Sequence, residues 1–199
     1  MFAYIKGKLE IKSNDYIIID VMGIGYKIYM SPSAIDTLGE TGQTIKVHTH
    51  YHVREDNISL YGFKTLEELR MFELLISTSG IGAKSAITIL SNITPSSFAL
   101  AIISNDTSKL VKIPGIGAKT AARIVLELKD KLKETEQIKE ESLDIKNAIT
   151  DNKKAEEAKT ALQVLGYTSK EIIKVIEKID ISGLSVEEII KNSLKLLAN

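Results

Sequence analysis

One short pattern occurs twice in this chain, as SGIGAKSA at residues 79–86 and as PGIGAKTA at residues 114–121. In each copy an apolar run precedes the two glycines and another apolar run follows them. Two glycines separated by one aliphatic residue allow a tight turn with positive φ, and they leave the backbone amides open to a ligand. Each copy therefore predicts a helix, a hairpin and a second helix, with free amides at the start of the second helix.

Each copy also carries a lysine in the first turn of its second helix, Lys84 or Lys119. Amides, helix dipole and lysine charge together favour the binding of phosphate. A P-loop is excluded because alanine precedes each lysine, and a dinucleotide fingerprint is excluded because its third glycine is missing. The pattern resembles the helix-hairpin-helix motif, which holds DNA backbone without reading base sequence. Arg123, one turn beyond Lys119 on the same helical face, is a further candidate for backbone contact.

Charge and composition narrow the functional class. The chain has 199 residues, 44% of them hydrophobic, and a formal net charge of zero. Residues 64–133 carry 10 basic against 6 acidic residues, a net charge of +4. The net charge is −1 for residues 1–63, −2 for residues 134–154 and −1 for residues 155–199. The absence of cysteine excludes disulfides, thiolate metal sites and a cysteine nucleophile. No apolar run approaches the length of a membrane span, so we expect a cytoplasmic protein without a membrane partner.

Residues 1–63 predict a β domain. Five short strands, rich in Tyr, Ile and Val and bounded by turn residues, favour a small closed barrel of the oligonucleotide-binding type. They are expected at Phe2–Ile11, Asp15–Met22, Tyr26–Met30, Ile45–Val53 and Ile58–Phe63.

The fourth of these strands places three histidines, His48, His50 and His52, opposite its apolar face. We expect a solvated strand face there rather than a metal site. The outer two histidines would be about 13 Å apart in an extended strand, and no carboxylate lies among the three.

The rest of the chain predicts two helical units and a connection. In residues 64–133 a capping box at Thr65 opens one helix, Thr94-Pro95 starts another, and Ala118–Leu132 has helical apolar spacing. Residues 134–154 are polar without a sustained period and predict a flexible linker.

Residues 155–199 predict three helices, delimited by Gly166 and by capping boxes at Thr168 and Ser185. A unit of this size is near the lower limit for independent folding. Since it carries no catalytic constellation, we interpret it as a docking module. A subdomain packed permanently on the rest of the chain is the alternative.

Taken together and in order, these features resemble the RuvA family, the Holliday-junction-binding subunits of the bacterial branch-migration machine. The resemblance rests on GIGY at residues 23–26, the tip RED at 54–56 followed by LYGF at 60–63, the two hairpins, and ALQVLGY at 161–167. It covers essentially the whole chain. It implies an α+β multidomain fold made of the barrel, the tandem helix-hairpin-helix domain and a small three-helix domain on the linker.

The resemblance also implies partners and roles. It implies a homotetramer that holds a four-way junction open and square-planar in recombination and repair, with one or two tetramers on the DNA. The hexameric ATPase RuvB would dock on residues 155–199, with a RuvC-type resolvase as a further partner, and no cofactor, metal or catalytic residue is implied. The implied DNA-backbone contacts are Gly80, Gly82, Lys84, Gly115, Gly117, Lys119 and Arg123. The implied acidic pin at the junction centre is Glu55 and Asp56, with Arg54 as an adjacent basic contact. The candidate motor-docking residues come from the aliphatic side chains of the C-terminal helices and are Leu162, Leu165, Ile172 and Ile176.

Two other classes of function stay open at this point. Helix-hairpin-helix motifs also occur in DNA glycosylases and nucleases, where Glu127 or Asp130 after the second hairpin would be the catalytic acid. A glycosylase would also need a pocket for a flipped base. The second alternative is a non-specific single-strand binder that uses barrel aromatics for base stacking, and the candidates for that role are Tyr26, Tyr29, Tyr51 and Tyr61.

Overall fold

The computed structural model describes residues 2–55, 57–137 and 151–197. Its strands are β1 (Tyr4–Lys12), β2 (Tyr16–Val21), β3 (Ile24–Tyr29), β4 (Thr44–Val53) and β5 (Ile58–Phe63). Its helices are α1 (Pro32–Asp36), α2 (Leu66–Ile76), α3 (Ala83–Asn92), α4 (Pro95–Ile103), α5 (Thr107–Val111), α6 (Ala118–Gln137), α7 (Asp151–Val164), α8 (Ser169–Ile176) and α9 (Val186–Leu197).

The five strands close into a barrel in the order β1-β2-β3-β5-β4. All neighbours are antiparallel except β3 and β5, which are parallel. Alternation along the strands turns apolar side chains such as Ile17, Ile19 and Ile28 into a fully buried core. The predicted five-stranded barrel is confirmed. β5 has the predicted bounds, whereas β1 begins at Tyr4 rather than at Phe2.

Helices α2 to α6 form the predicted helical domain. The capping box at Thr65 is present at the start of α2, and Pro95 occupies the first turn of α4 behind the cap Thr94. Two short helices, α1 and α5, have no counterpart among the predicted elements. Each has five residues, which is too short for a periodic apolar pattern to be recognised.

The three C-terminal helices are also confirmed, with capping boxes at Thr168 and Ser185. They pack on the helical domain, mainly through α7 and α9 against α4. Buried residues of both units, including Phe98 and Ile102 of α4 and Leu165 beside α7, belong to one core cluster. A unit near the lower size limit for independent folding thus gains core by sharing it with its neighbour.

Polar contacts add to this packing. The Tyr167 hydroxyl donates to Glu67 of α2 at 3.4 Å, and the Arg70 guanidinium lies 4.0 Å from the centroid of the Tyr167 ring. Burial, with Glu67 nearby, raises the pKa of Tyr167 to about 12, so its hydroxyl stays protonated and able to donate. Ser97 of α4 donates a further hydrogen bond to Glu187 of α9.

The connection between the two helical units is shorter than the segment predicted as a linker. Helix α6 continues to Gln137 and α7 begins at Asp151, so helices cover both ends of residues 134–154. The rest of that predicted linker lies outside the described residues.

Candidate nucleic-acid interface

The two hairpins have the same backbone conformation. Gly80 and Gly115 have φ values of +81° and +80°, where a side chain would be strained. In each hairpin the amide of the central isoleucine, Ile81 or Ile116, donates to the carbonyl three residues earlier, at 3.1 and 3.0 Å. Both isoleucine side chains are buried. The predicted turns are confirmed, and the buried isoleucine anchors each of them in the core.

The second glycine of each hairpin, Gly82 or Gly117, faces open space. A Cβ at either position would meet no heavy atom within 4 Å. The φ of Gly82 is −88°, which any residue can adopt. Packing within the described chain therefore does not require glycine at either position. The open space leaves room for a ligand to approach the backbone amides.

The first turn of α3 is open to an anion. Gly82 is its N-cap, and no side chain accepts a hydrogen bond from the amides of that turn. By contrast, the threonine side chains that cap α2 and α4 accept such bonds. The uncapped amides and the positive end of the helix dipole both point out of the hairpin.

Exposed cations stand beside both hairpins. Lys84 in α3 and Lys119 in α6 occupy equivalent positions, and both are exposed. Neither side-chain ammonium group has a hydrogen-bond or ion-pair partner among the residues that the structure describes. Each lysine is therefore available to neutralise a phosphate held by the amides of its own hairpin.

Arg123 lies at the first hairpin, although it follows the second hairpin in sequence. Its Nη1 atom donates to the carbonyl of Ser79 at 3.4 Å. One turn further along α6, Glu127 accepts a hydrogen bond from the Ser79 amide at 3.0 Å. Ser79 and Glu127 were not predicted as a pair from the sequence. The available signal was the serine of the first copy where the second copy has proline, which has no amide hydrogen.

The predicted acidic tip joins β4 to β5. Glu55 is exposed in a bend, and the Arg54 amide donates to the Asn57 carbonyl at 2.9 Å. The Arg54 guanidinium donates to His52 at 3.0 Å. Asp56, the other predicted pin residue, lies outside the described residues.

The histidine face of β4 is partly covered rather than solvated, so that expectation was wrong. His50 contacts Glu73 of α2 at 3.1 Å, and its ring centroid lies 5.3 Å from that of Phe72. Desolvation lowers the pKa of His48 and that of His52, with nearby Lys46 and Arg54 adding to it. Helix α2 packs on this side of the barrel, which a pattern within one strand cannot reveal.

Models of known families match the chain along most of its length. The RuvA N terminal domain matches residues 1–62, a SAM-like helix-hairpin-helix tandem matches residues 72–130, and the RuvA C-terminal domain matches residues 153–198. A protein of Acetivibrio thermocellus named Holliday junction branch migration complex subunit RuvA is 51% identical, over 100% of this chain and 99% of its own. The chain belongs to the RuvA family.

Further members of the RuvA family give the same result. Proteins with the same name are 50% identical in Ruminiclostridium cellulolyticum, over 99% of this chain and 100% of that protein, and 45% identical in Clostridium perfringens, over 99% of each. This chain and each of these relatives therefore align over almost their full lengths.

Most of the residues predicted to dock the motor lie inside the fold. Leu162, Leu165 and Ile172 are completely buried, and Ile176 is partly buried against the same core. In this arrangement only Ile176 of the four offers surface to a partner. The docking role itself stays a prediction.

The residues that would carry the two alternative functions make contacts within the chain. Glu127, one proposed catalytic acid, is hydrogen-bonded to the first hairpin. Among the proposed stacking aromatics, Tyr61 packs against Tyr29 and Phe72, while Tyr26 and Tyr51 both pack against Phe2. Each of the four tyrosines is partly buried, which reduces the ring surface that could stack on a base.

Within the described ranges, no group of three or more His, Cys, Asp or Glu residues is arranged to hold a metal ion. No single described helix is both long and apolar enough to cross a membrane. Helices α3 and α4 meet that test only together, as a pair bent by 99°.

Proposed function

We propose that this chain holds the backbone of four-way junction DNA with its two hairpins, as the junction-binding subunit of a branch-migration complex. The observation that carries the proposal is the repeated hairpin, in which open space in front of Gly82 and Gly117 is paired with an exposed lysine. Backbone contacts of this kind give affinity without base specificity. The names of the relatives, which are subunits of Holliday junction branch migration complexes, support the choice of DNA substrate.

The barrel supports self-association into a homotetramer. Since β3 and β5 are parallel, the β2–β3 turn and the β4–β5 tip lie at the same end of the barrel. Large apolar side chains are exposed at that end, with Met22 100%, Ile24 60%, Val53 58% and Ile58 61% accessible. A cluster of this kind is typical of a surface that another protein covers. Further copies of the chain in a closed ring would bury it and bring the tips together.

The acidic tip then acts as a pin at the centre of the ring. A carboxylate about 7 Å from a phosphate repels it by about 1 kcal/mol at an effective dielectric constant of about 40. Glu55 and Asp56 from every subunit would make the centre unfavourable for a continuous duplex. The open centre of a four-way junction avoids that repulsion, so specificity arises partly from disfavouring the wrong DNA.

The C-terminal helices recruit the motor in this proposal. The surface offered to a RuvB-type ATPase includes Ile176 of α8 rather than the buried Leu162, Leu165 and Ile172. A RuvC-type resolvase would act on the junction that the same subunit holds open.

Competition binding tests the proposed DNA specificity. The full chain is titrated with four-way junction, linear duplex and single-stranded DNA, and we expect the junction to bind most tightly. A variant with Glu55→Gln and Asp56→Asn keeps the size of the tip and removes its charge. We expect this variant to bind junction at least as tightly, to gain more affinity for duplex, and therefore to prefer junction less.

The matched control for the pin removes two acids elsewhere on the barrel domain. Asp36→Asn with Glu40→Gln changes the last residue of α1 and a residue of the loop before β4, whereas the tip follows β4. This control should keep the parent's preference for junction. An unchanged preference in the Glu55 and Asp56 variant would remove the pin, and tighter binding of single strands than of junction would favour the single-strand alternative.

Motor docking is tested in the full chain, because deleting α7 to α9 would expose the apolar side of α4. We expect Ile176→Glu to reduce stimulation of a RuvB-type ATPase several-fold while junction affinity stays at the parent value, since a carboxylate in an apolar contact is costly to desolvate. Leu196→Glu, at an exposed apolar position of α9, is the control. Full stimulation by the Ile176 variant would contradict this docking surface.

A further inference from the structure

The first hairpin is held from outside by the helix that follows the second hairpin. Both polar groups of the Ser79 main chain are bound by α6, since its amide donates to Glu127 at 3.0 Å and its carbonyl accepts from Arg123 at 3.4 Å. The same Arg123 nitrogen would lie 3.2 Å from a Cβ at Gly80. A side chain at Gly80 would therefore press on the arginine, in addition to being strained by the positive φ.

Helix α6 connects the two hairpins, since it follows the second and contacts the first. It starts directly after the second hairpin, where the Ala121 amide donates to the Gly117 carbonyl at 2.9 Å. Its inward face is anchored in the core by Ile124 and Leu128, which are almost completely buried. A contact from this helix to Ser79 therefore relates the position of one hairpin to the other.

The two copies differ at the residue that makes this contact. The residue equivalent to Ser79 is Pro114, which has no amide hydrogen to donate. The second hairpin needs no such bond because it is continuous with α6. The first hairpin leads into α3 instead, so it is joined to α6 by the core that Ile81 shares with Ile124 and Leu128 and by the polar contacts of Ser79.

We propose that the hydrogen bond from the Ser79 amide to Glu127 sets the spacing and orientation of the two hairpins, which makes both residues positioning residues for DNA. This inference rests on the proposed function, in which both hairpins grip one stretch of DNA backbone. Two hairpins held at a fixed separation can bind DNA together without the entropic cost of first fixing one hairpin relative to the other. Glu127 does this as a hydrogen-bond acceptor, although its negative charge opposes a nearby phosphate.

Two substitutions remove the same hydrogen bond from opposite sides. Ser79→Pro deletes the donor, and the local backbone tolerates proline because the second hairpin adopts the same conformation with Pro114. Glu127→Ala deletes the acceptor. We expect each to weaken junction binding by about tenfold. The double variant should be no weaker than either single variant, because the bond can be lost only once.

Two conservative variants serve as controls. Ser79→Ala keeps the amide and should bind as the parent does. Glu127→Gln keeps an acceptor oxygen and loses the charge, so it should bind junction at least as tightly as the parent. If Glu127→Ala also binds more tightly, Glu127 is only a like charge near the DNA. Parent affinity in Ser79→Pro, or additive losses in the double variant, would likewise overturn the proposal.

Lysine substitutions separate a positioning role from general destabilisation and from failure of the proposed function. In the Ser79→Pro background, Lys84→Ala should have less effect than in the parent, while Lys119→Ala keeps its full effect. A protein that is merely less stable would lose affinity without this selectivity, and equal effects of the two lysines would contradict the inference. If neither lysine matters in the parent, the proposed function itself fails.

Discussion

The two hairpins share one backbone conformation but have different surroundings. Their first glycines have nearly equal positive φ values, and their central isoleucines are buried alike. The second hairpin runs straight into α6, whereas the first is tied to α6 through Ser79. The comparison shows that the local sequence determines the shape of each loop, while tertiary contacts determine how firmly each loop is held.

The two hairpins also differ in the basic residues that lie beside them. The first hairpin has Lys84 on its own helix and Arg123 beside it from α6, whereas the second hairpin has Lys119. Arg123 was predicted as a second backbone contact next to Lys119, because the two residues lie on one helical face. Its hydrogen bond instead places it against the first hairpin. If Arg123 also reaches DNA, it completes a site to which both copies of the motif contribute.

The largest expected effect comes from closing the open space in front of the two amide sites. Gly82→Ala and Gly117→Ala should each fold as the parent does, because the added methyl meets no heavy atom within 4 Å. Each should weaken junction binding by about tenfold or more, since one hydrogen bond to a charged group contributes about 1.5–3 kcal/mol. Thermal unfolding and equilibrium binding of the same preparations would measure both quantities.

Gly166→Ala is the matched control for these variants and should show the reverse behaviour. Its φ of +83° strains any side chain, so this variant should unfold at a lower temperature. Gly166 lies in the turn after α7 and belongs to neither hairpin, so DNA affinity should not change. Parent affinity in both hairpin variants would show that DNA does not approach these glycines. A loss at only one of them would show that only one hairpin binds backbone.

Features that depend on neighbours in sequence could be predicted, and features that depend on packing could not. The capping boxes at Thr65 and Thr168 are local, and both are present. The strand pattern around His50 correctly separated the two faces of β4. It did not show that α2 covers the histidine face, because α2 is a separate element placed by the core.

The same limit applies to the site and to the C-terminal helices. Gly82 and Gly117 were identified from their motif, because the spacing of two glycines around one aliphatic residue is a local sequence signal for exposed backbone. The bond between Ser79 and Glu127 joins residues far apart in sequence, and neither residue type is unusual at its position. Leu165 was predicted as a docking residue because apolar periodicity reports a buried face, but it does not report which neighbour buries that face.

The most direct test of the account is the salt dependence of junction binding by the parent, Lys84→Ala and Lys119→Ala proteins. If each lysine neutralises one phosphate in each subunit of a tetramer, removing either should lower the slope of log K against log salt by on the order of 3 to 4. Similar reductions for the two variants would show that both hairpins hold backbone. Slopes equal to that of the parent in both variants would contradict the central claim, because they would place neither lysine at a phosphate.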